Sequence, residues 1–145
     1  MESQNKEEMK VLMLDSFLIQ DFWDPIKYSV ETCLGPIDAE HLLTKILTNL
    51  IQVWIAFEEN QVKAIFTSCI VEDDVTNERT LLLYSAYGFA KSSDELWFEV
   101  VKTMKAYAKK VGCKQLAAYT KVDKVIKKLT EAGGNAEVRY VILEV

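Results

Sequence analysis

The sequence predicts a single α/β domain over residues 1–145, in which helices flank a mixed β-sheet with the element order β-α-α-β-β-β-α-β-α-β. Three observations predict this class. The 145 residues are 50% hydrophobic and 27% charged, which is enough for one buried core. The hydrophobic period changes several times between that of a helix and that of a strand. A long amphipathic helix also lies between two apolar strands, and such a crossover makes those strands parallel.

The first third of the chain predicts one strand and two helices. Residues 9–14 form a short apolar strand. Residues 17–34 carry apolar side chains at every fourth position, which predicts one helix that ends before a Gly-Pro pair. Asp38 is placed to cap a second helix, over residues 39–50, which has a broad apolar face.

The middle of the chain predicts three strands. Residues 52–57 and 62–71 are rich in β-branched and aromatic side chains and are separated by four polar residues, which predicts a β-hairpin. After a second polar turn, residues 79–89 form an apolar run too continuous to have a solvated face. We therefore expect this strand to be central in the sheet.

The last third predicts a helix, a strand, a helix and a strand. Ser92 and Glu95 have the spacing of a capping box and are predicted to begin a helix that runs to Val111, with Gly112 as its stop. A strand over residues 114–120, a lysine-rich helix over 122–132 and a final strand over 136–145 follow.

The cysteines and the single histidine exclude two classes of site. Cys33, Cys69 and Cys113 have no CxxC spacing, and His41 is the only histidine, so neither a disulfide framework nor a His/Cys metal site can be assembled. We expect the cysteines to be small buried hydrophobic residues. No apolar run approaches the roughly 20 residues that cross a bilayer, and the first eight residues do not read as a signal peptide, so we expect no secretion.

Several short segments, in their order and spacing, carry a resemblance to a known family: Phe22-Trp23-x-Pro25, Gln52-Val53-Trp54-Ile55-Ala56, Leu82-Leu83-Tyr84 with Tyr87-Gly88, Glu95-Leu96-Trp97, Ala106-x-Ala108-Lys109-x-x-Gly112-Cys113-Lys114 and Val141-Ile142-Leu143-Glu144. The chain resembles the GNAT acetyltransferase superfamily over essentially its whole length. More narrowly, it is similar to the compact GNAT-like proteins of tailed phages and prophages, some of which look like internal virion components.

The resemblance implies a cofactor site, but the residues of this chain differ from the family pattern at that site. In those acetyltransferases acetyl-CoA pairs with a splayed central strand, and its diphosphate rests on a glycine-rich loop at the start of the next helix. An enzyme of this kind would use six residues here, three through their backbone and three for the phosphates: Tyr84, Ala86, Gly88, Lys91, Ser92 and Ser93. However, residues 90–95 contain no glycine, and Asp94 and Glu95 place two carboxylates in the first turn, where they would repel a diphosphate.

The acid and the base of such an enzyme are equally altered. The resemblance places a general acid, often a tyrosine, where this chain has Leu129, which cannot donate a proton. Tyr119, at the end of the preceding strand, is the candidate that remains. The three consecutive acids at residues 72–74 could supply a general base, although such a turn is usually only solvated, and His41 lies on a helix remote in sequence from the cofactor strand.

Charge is distributed unevenly along the chain. Residues 102–128 contain nine lysines and one aspartate, a net charge of +8, so the remainder carries −13 of the total of −5. A solvated helix face, a site for the phosphates of CoA or nucleic acid, and a docking surface for an acidic protein all remain open. Nucleic acid is disfavoured because no arginine or aromatic interleaving accompanies the lysines.

These departures predict a degenerate GNAT-fold protein that binds no cofactor and is not an enzyme. We expect a structural or interaction protein, located in the cytoplasm or a virion and associated with other protein chains, a viral assembly or further copies of itself. The alternative is an acetyl-CoA-dependent N-acetyltransferase with a divergent diphosphate loop. That alternative predicts an open cleft between the strands that end near Phe89 and Tyr119.

Overall fold

The computed structural model describes residues 9–88, 93–121, 123–137 and 141–145. Five strands lie in these residues: β1 (Lys10–Met13), β2 (Gln52–Glu58), β3 (Gln61–Glu72), β4 (Arg79–Tyr87) and β5 (Gln115–Ala118). The same residues contain five helices: α1 (Ser16–Ile19), α2 (Trp23–Leu34), α3 (Ala39–Leu47), α4 (Asp94–Lys110) and α5 (Asp123–Glu131). The predicted α/β class is confirmed.

The strands form one mixed sheet in the order β1-β2-β3-β4-β5. The first three pairings are antiparallel, and β4 and β5 are parallel, as the crossover through α4 predicted. β4 has a neighbour on each side, as expected from its continuous apolar run.

Two hydrophobic cores cover the two faces of the sheet. One core joins strand residues to α4 and α5, with Phe66, Leu81 and Leu96 fully buried. The other joins the opposite face to α1, α2 and α3 through residues such as Ile26 and Ile55. The alternation of side chains along each strand therefore decides which residues face α2 and α3.

The single helix predicted for residues 17–34 is wrong, because the chain forms α1 and then α2 with a turn between them. Pro25 explains the break. Proline has no backbone N–H, so within an uninterrupted helix it would leave the carbonyl four residues earlier without its donor. In the first turn of α2 the backbone N–H groups have no partner within the helix, so proline is tolerated there. The second predicted helix also ends earlier, at Leu47, and Asn49 adopts a left-handed φ of 60° just after it.

Two predictions about the last third need correction. The cap of α4 is Ser93, not Ser92, because the Ser93 side chain accepts the Leu96 N–H; Ser92 itself lies outside the described residues. The strand predicted for residues 136–145 is absent from 136–137 and 141–145, and residues 138–140 lie outside the described part. Its apolar side chains, such as Val141 and Leu143, are solvent-exposed. A hydrophobic pattern is therefore not sufficient to form a strand, because a strand also needs a neighbour with which to pair.

Candidate functional site

β4 contains a β-bulge at Tyr84. Thr67 of β3 pairs with Ser85, and the next pair is Ser68 with Leu83, so Tyr84 is the extra residue on β4. Leu83 is buried, Tyr84 is 39% exposed, and the Ser85 hydroxyl lies 2.6 Å from the Thr67 hydroxyl. The bulge therefore shifts the alternation of side chains in the middle of the strand.

The pairing between β4 and β5 ends next to this bulge. Parallel pairing reaches Leu83 with Ala118, and the Tyr119 N–H then donates to the Leu83 carbonyl at 2.9 Å. β4 continues to Tyr87, but none of the residues that the structure describes pairs with that part of β4 on the β5 side. An opening between these strands is what the enzyme alternative predicted, although Phe89 lies outside the described residues.

Two tyrosines lie together where the strands part. The rings of Tyr84 and Tyr119 stack with their centroids 5.9 Å apart and an angle of 17° between their planes. Tyr119 is 38% exposed. The candidate acid thus lies at the opening, whereas Leu129 packs against the core on the opposite face. Sequence alone could not pair Tyr84 with Tyr119, since they come from different strands.

The end of β4 is held by α2 and by β3. Tyr87 contacts Tyr28 edge to face at 5.5 Å, and hydrogen bonding with Tyr28 raises the pKa of Tyr87. The Cys33 thiol donates to the Ala86 carbonyl at 3.4 Å, while partial burial raises its pKa; the residue as a whole is exposed, contrary to our expectation. Gly88 has a φ of 90°, and a Cβ there would overlap a β3 carbonyl oxygen.

The start of α4 is acidic, as predicted, and its cap is supplied by the chain itself. Ser93 accepts the Leu96 N–H at 3.1 Å and donates to a carboxylate oxygen of Glu58 at 2.5 Å. Asp94 and Glu95 occupy the first turn. Of the three residues predicted for the phosphates, Ser93 is thus engaged in this cap, and Lys91 and Ser92 lie outside the described residues.

The charge of Asp94 is compensated by α5. The Lys128 ammonium lies 2.6 Å from its carboxylate, and that hydrogen bond lowers the pKa of Asp94 and raises the pKa of Lys128. Lys124 and Lys127 lower the pKa of Asp94 further through their charge. The predicted lysine cluster is therefore divided, since its α5 members approach the start of α4, while Lys109 and its neighbours on α4 are exposed.

The acidic turn after β3 has a structural role. One Asp73 carboxylate oxygen accepts the N–H groups of Val75 and Thr76 at 2.8 and 2.9 Å, and these bonds lower the pKa of Asp73. Glu72 pairs with Arg79 in the register of the two strands. The Asp73 side chain therefore stabilises the turn and is not positioned as a general base.

A pocket of about 320 Å³ opens beside Tyr84, between the sheet and the helices α2 and α3. Five of the described residues that line it are aliphatic and four are polar: Val30, Leu34, Ile37, Leu42, Ile51, Asp38, His41, Cys69 and Tyr84. The Asp38 carboxylate caps α3 by accepting the His41 N–H at 3.1 Å. Sequence distance suggested that His41 is remote from the cofactor strand, but α3 brings it to the same pocket as Tyr84.

Among the described residues, no group of three or more His, Cys, Asp or Glu side chains could bind a metal ion. None of the helices in the described part of the chain has the length and hydrophobicity needed to span a bilayer.

Comparison with known proteins identifies the class that this fold defines. Neither a family model nor a curated protein sequence matches the chain. Several solved structures match it. One is an aminoglycoside acetyltransferase from an uncultured soil metagenomic sample, in complex with sisomicin. It is 15% identical with a TM-score of 0.65, and the match covers 97% of this chain and 96% of that one. An aminoglycoside N-acetyltransferase in complex with CoA is 15% identical with a TM-score of 0.67, covering 94% and 93%.

A predicted acetyltransferase from Clostridium acetobutylicum, solved with acetyl-CoA, is 17% identical with a TM-score of 0.68, covering 94% of this chain and 96% of that one. The chain therefore has the GNAT fold. The prediction of a non-enzymatic phage or virion protein is wrong, because these three solved structures with the same fold are acetyltransferases, and two of them were solved with CoA or acetyl-CoA. The physical error lay in treating the acidic first turn of α4 as uncompensated, whereas Lys128 pairs with Asp94.

Proposed function

We propose that this chain is an acetyl-CoA-dependent N-acetyltransferase. The observation that carries the proposal is the coincidence of two breaks: the bulge at Tyr84 and the end of β4–β5 pairing at Leu83 lie next to each other in the sheet. An extended ligand with amide groups can add to a strand that lacks a neighbour. The likeness to acetyltransferases solved with CoA and acetyl-CoA supports this choice of ligand.

The second half of β4 fits the amide-bearing arm of acetyl-CoA. Backbone groups of Tyr84, Ala86 and Gly88 would hold it, because the methyl group of Ala86 and the lack of a side chain at Gly88 allow a ligand to approach the backbone. Hydrogen bonds from such a strand orient the arm along the sheet, and the pocket beside Tyr84 leaves room for the acceptor.

The start of α4 fits the diphosphate through lysines rather than glycines. Lys124 and Lys127 of α5 act on Asp94 through their charge, in addition to the ion pair that Lys128 makes. We infer that these ammonium groups attract the phosphates and offset the carboxylates of the first turn. The Ser93 hydroxyl is engaged with Leu96 and Glu58, so Lys91 and Ser92 are the members of the predicted set that would complete this part of the site.

Acetyl-CoA, when bound, supplies a thioester: the acceptor nitrogen forms the new C–N bond while the C–S bond breaks and its electron pair stays on sulfur. The departing thiolate needs a proton, and the Tyr119 phenol is the donor that we assign. Its ring is oriented by stacking on Tyr84 at the opening of the strands. The amine loses its proton to water or to a base in the acceptor pocket.

The first experiment is calorimetric titration of the protein with acetyl-CoA. Saturable binding with a Kd of about 1–100 μM supports the proposal. No heat of binding at about 1 mM ligand, from a protein whose circular dichroism shows it to be folded, would overturn it.

A kinetic experiment tests the role of Tyr119. Tyr119→Phe keeps the ring that stacks on Tyr84 and removes only the hydroxyl, so we expect kcat to fall about 100-fold with the affinity for acetyl-CoA unchanged. Tyr107→Phe is the matched control, because Tyr107 contacts Trp54 on the opposite face of the sheet. Equal kcat values for the two variants would contradict the assignment.

A pair of lysine variants tests the diphosphate site. Lys127→Ala removes a charge near the start of α4, and we expect it to weaken acetyl-CoA binding about 3- to 10-fold at low salt. Lys110→Ala removes an exposed charge at the C-terminal end of α4, away from the proposed diphosphate site, and should leave the Kd for acetyl-CoA unchanged. If both variants bind alike, the lysines of α5 do not hold the phosphates.

A further inference from the structure

The pocket beside Tyr84 has walls of mixed chemistry. Its aliphatic residues come from α2, α3 and the segments around α3. Asp38, the N-cap of α3, contributes a carboxylate, and His41, in the first turn, contributes an imidazole. Cys69 adds a thiol from β3 whose pKa is raised by burial, so it remains protonated and contributes a weakly polar wall rather than a nucleophile.

We propose that this pocket binds the acetyl acceptor, and that the acceptor is a primary amine attached to an apolar alkyl or aryl body. The inference rests on the proposed function, because it assigns the second substrate of the same site. The apolar body packs among the aliphatic side chains, and the one amine lies against the polar part of the lining, to which Asp38 and Tyr84 both belong.

The charge of the lining selects among amines. Asp38 is the only acidic side chain among the described residues that line the pocket, so one ammonium group can be neutralised there but several cannot. A polycationic amino sugar would leave further ammonium groups against Val30, Leu34 and Ile37, and burying unpaired charge on an apolar wall is unfavourable. A monoamine with an apolar body satisfies both parts of the lining.

Direct binding without acetyl-CoA tests the pocket itself. His41 is the only histidine in the chain, so its imidazole Hε1 gives one assignable NMR signal that reports on this wall. We expect hexylamine to shift that signal saturably, with methylamine and hexanol each at least about 10-fold weaker because they lack the body or the charge. Equal affinity for the three compounds, or tighter binding of kanamycin, would overturn the inference.

Three variants make the test specific. Asp38→Asn keeps a residue that caps α3 well but removes the charge, and it should cut the preference for hexylamine over hexanol at least 5-fold. Leu34→Gln makes the wall polar at a side chain that is 38% exposed, and it should weaken hexylamine binding about 10-fold. Leu47→Gln, at an exposed position outside this pocket, is the control and should bind hexylamine as the unmodified chain does.

Acetylation of the same amines separates the two proposals. If acetyl-CoA does not bind but hexylamine does, the proposed function fails and the amine pocket stands. If acetyl-CoA binds and the protein acetylates kanamycin in preference to hexylamine, the function stands and the amine pocket is refuted. Preferential acetylation of hexylamine supports both.

Discussion

Gly88 directly follows β4, where the sheet opens, and it packs closely against the backbone of β3. Its replacement by alanine measures how much this close packing contributes to stability. The residue has a φ of 90°, which disfavours any side chain. An added Cβ would also overlap the carbonyl oxygen of Lys63, which belongs to the β3 backbone and cannot rotate away. Gly88→Ala therefore carries two penalties at once.

The two penalties can be separated with a second glycine. Gly35→Ala has the same φ problem, at 89°, but meets no atom within 4 Å. The positive φ alone costs about 1–3 kcal/mol, and forcing the strands apart to relieve an overlap costs about 1–3 kcal/mol more. We therefore expect a loss of about 1–3 kcal/mol for Gly35→Ala and about 2–6 kcal/mol for Gly88→Ala.

Urea denaturation followed by far-UV circular dichroism measures both losses. The free energies of unfolding should differ by about 1–3 kcal/mol between the two variants, with unchanged m-values. Equal losses would refute the reasoning, because they would mean that β3 does not support the end of β4 at the carbonyl of Lys63. In that case Gly88 would be free to move with a ligand in the opening.

Three other perturbations have defined outcomes. The lowered pKa of Asp94 and the raised pKa of Lys128 mean that their ion pair stabilises the fold between the two titrations, so the Tm deficit of Asp94→Asn should be full at pH 7 and shrink as the pH falls below about 4. Ser68→Ala leaves the buried Trp54 indole N–H without its acceptor at 2.9 Å, and urea denaturation should show a loss of about 1–3 kcal/mol. Asp38→Ala removes the cap of α3 and should cost about 1 kcal/mol by the same method, whereas the asparagine variant should cost little.

Hydrophobic period predicted most of the fold because it depends only on neighbouring residues. Each strand and helix of the hairpin and of the parallel crossover follows from a pattern within a window of about 11–18 residues. The break before Pro25 also follows from a local property, the donor that proline lacks, and this property outweighs the regular apolar spacing of residues 17–34. The last strand failed for the opposite reason, because a strand also needs a partner that its own residues do not specify.

The candidate site was less predictable because it depends on contacts across the sheet. Tyr84 and Tyr119 were each identified as candidates, but their stacking depends on where β4 and β5 stop pairing. The bulge has no signature in the sequence, since Tyr84 continues an apolar run like any other residue of that strand. His41 reaches the same pocket only because α3 packs on the sheet beside α2.

The start of α4 shows how a correct local observation led to a wrong function. Carboxylates in a first turn do interact favourably with the helix dipole and do oppose a bound anion. That opposition depends on their net charge, however, and Asp94 is paired with Lys128 from a helix that begins 29 residues later in the chain. With Lys124 and Lys127 nearby, the region presents ammonium groups as well as carboxylates to a ligand. A glycine-rich loop binds phosphates through backbone N–H groups, and lysines on a neighbouring helix can serve the same anion through charge alone. The absence of glycine from residues 90–95 therefore does not exclude a diphosphate site, and the salt dependence of acetyl-CoA binding becomes the property that distinguishes this solution from the glycine-rich one.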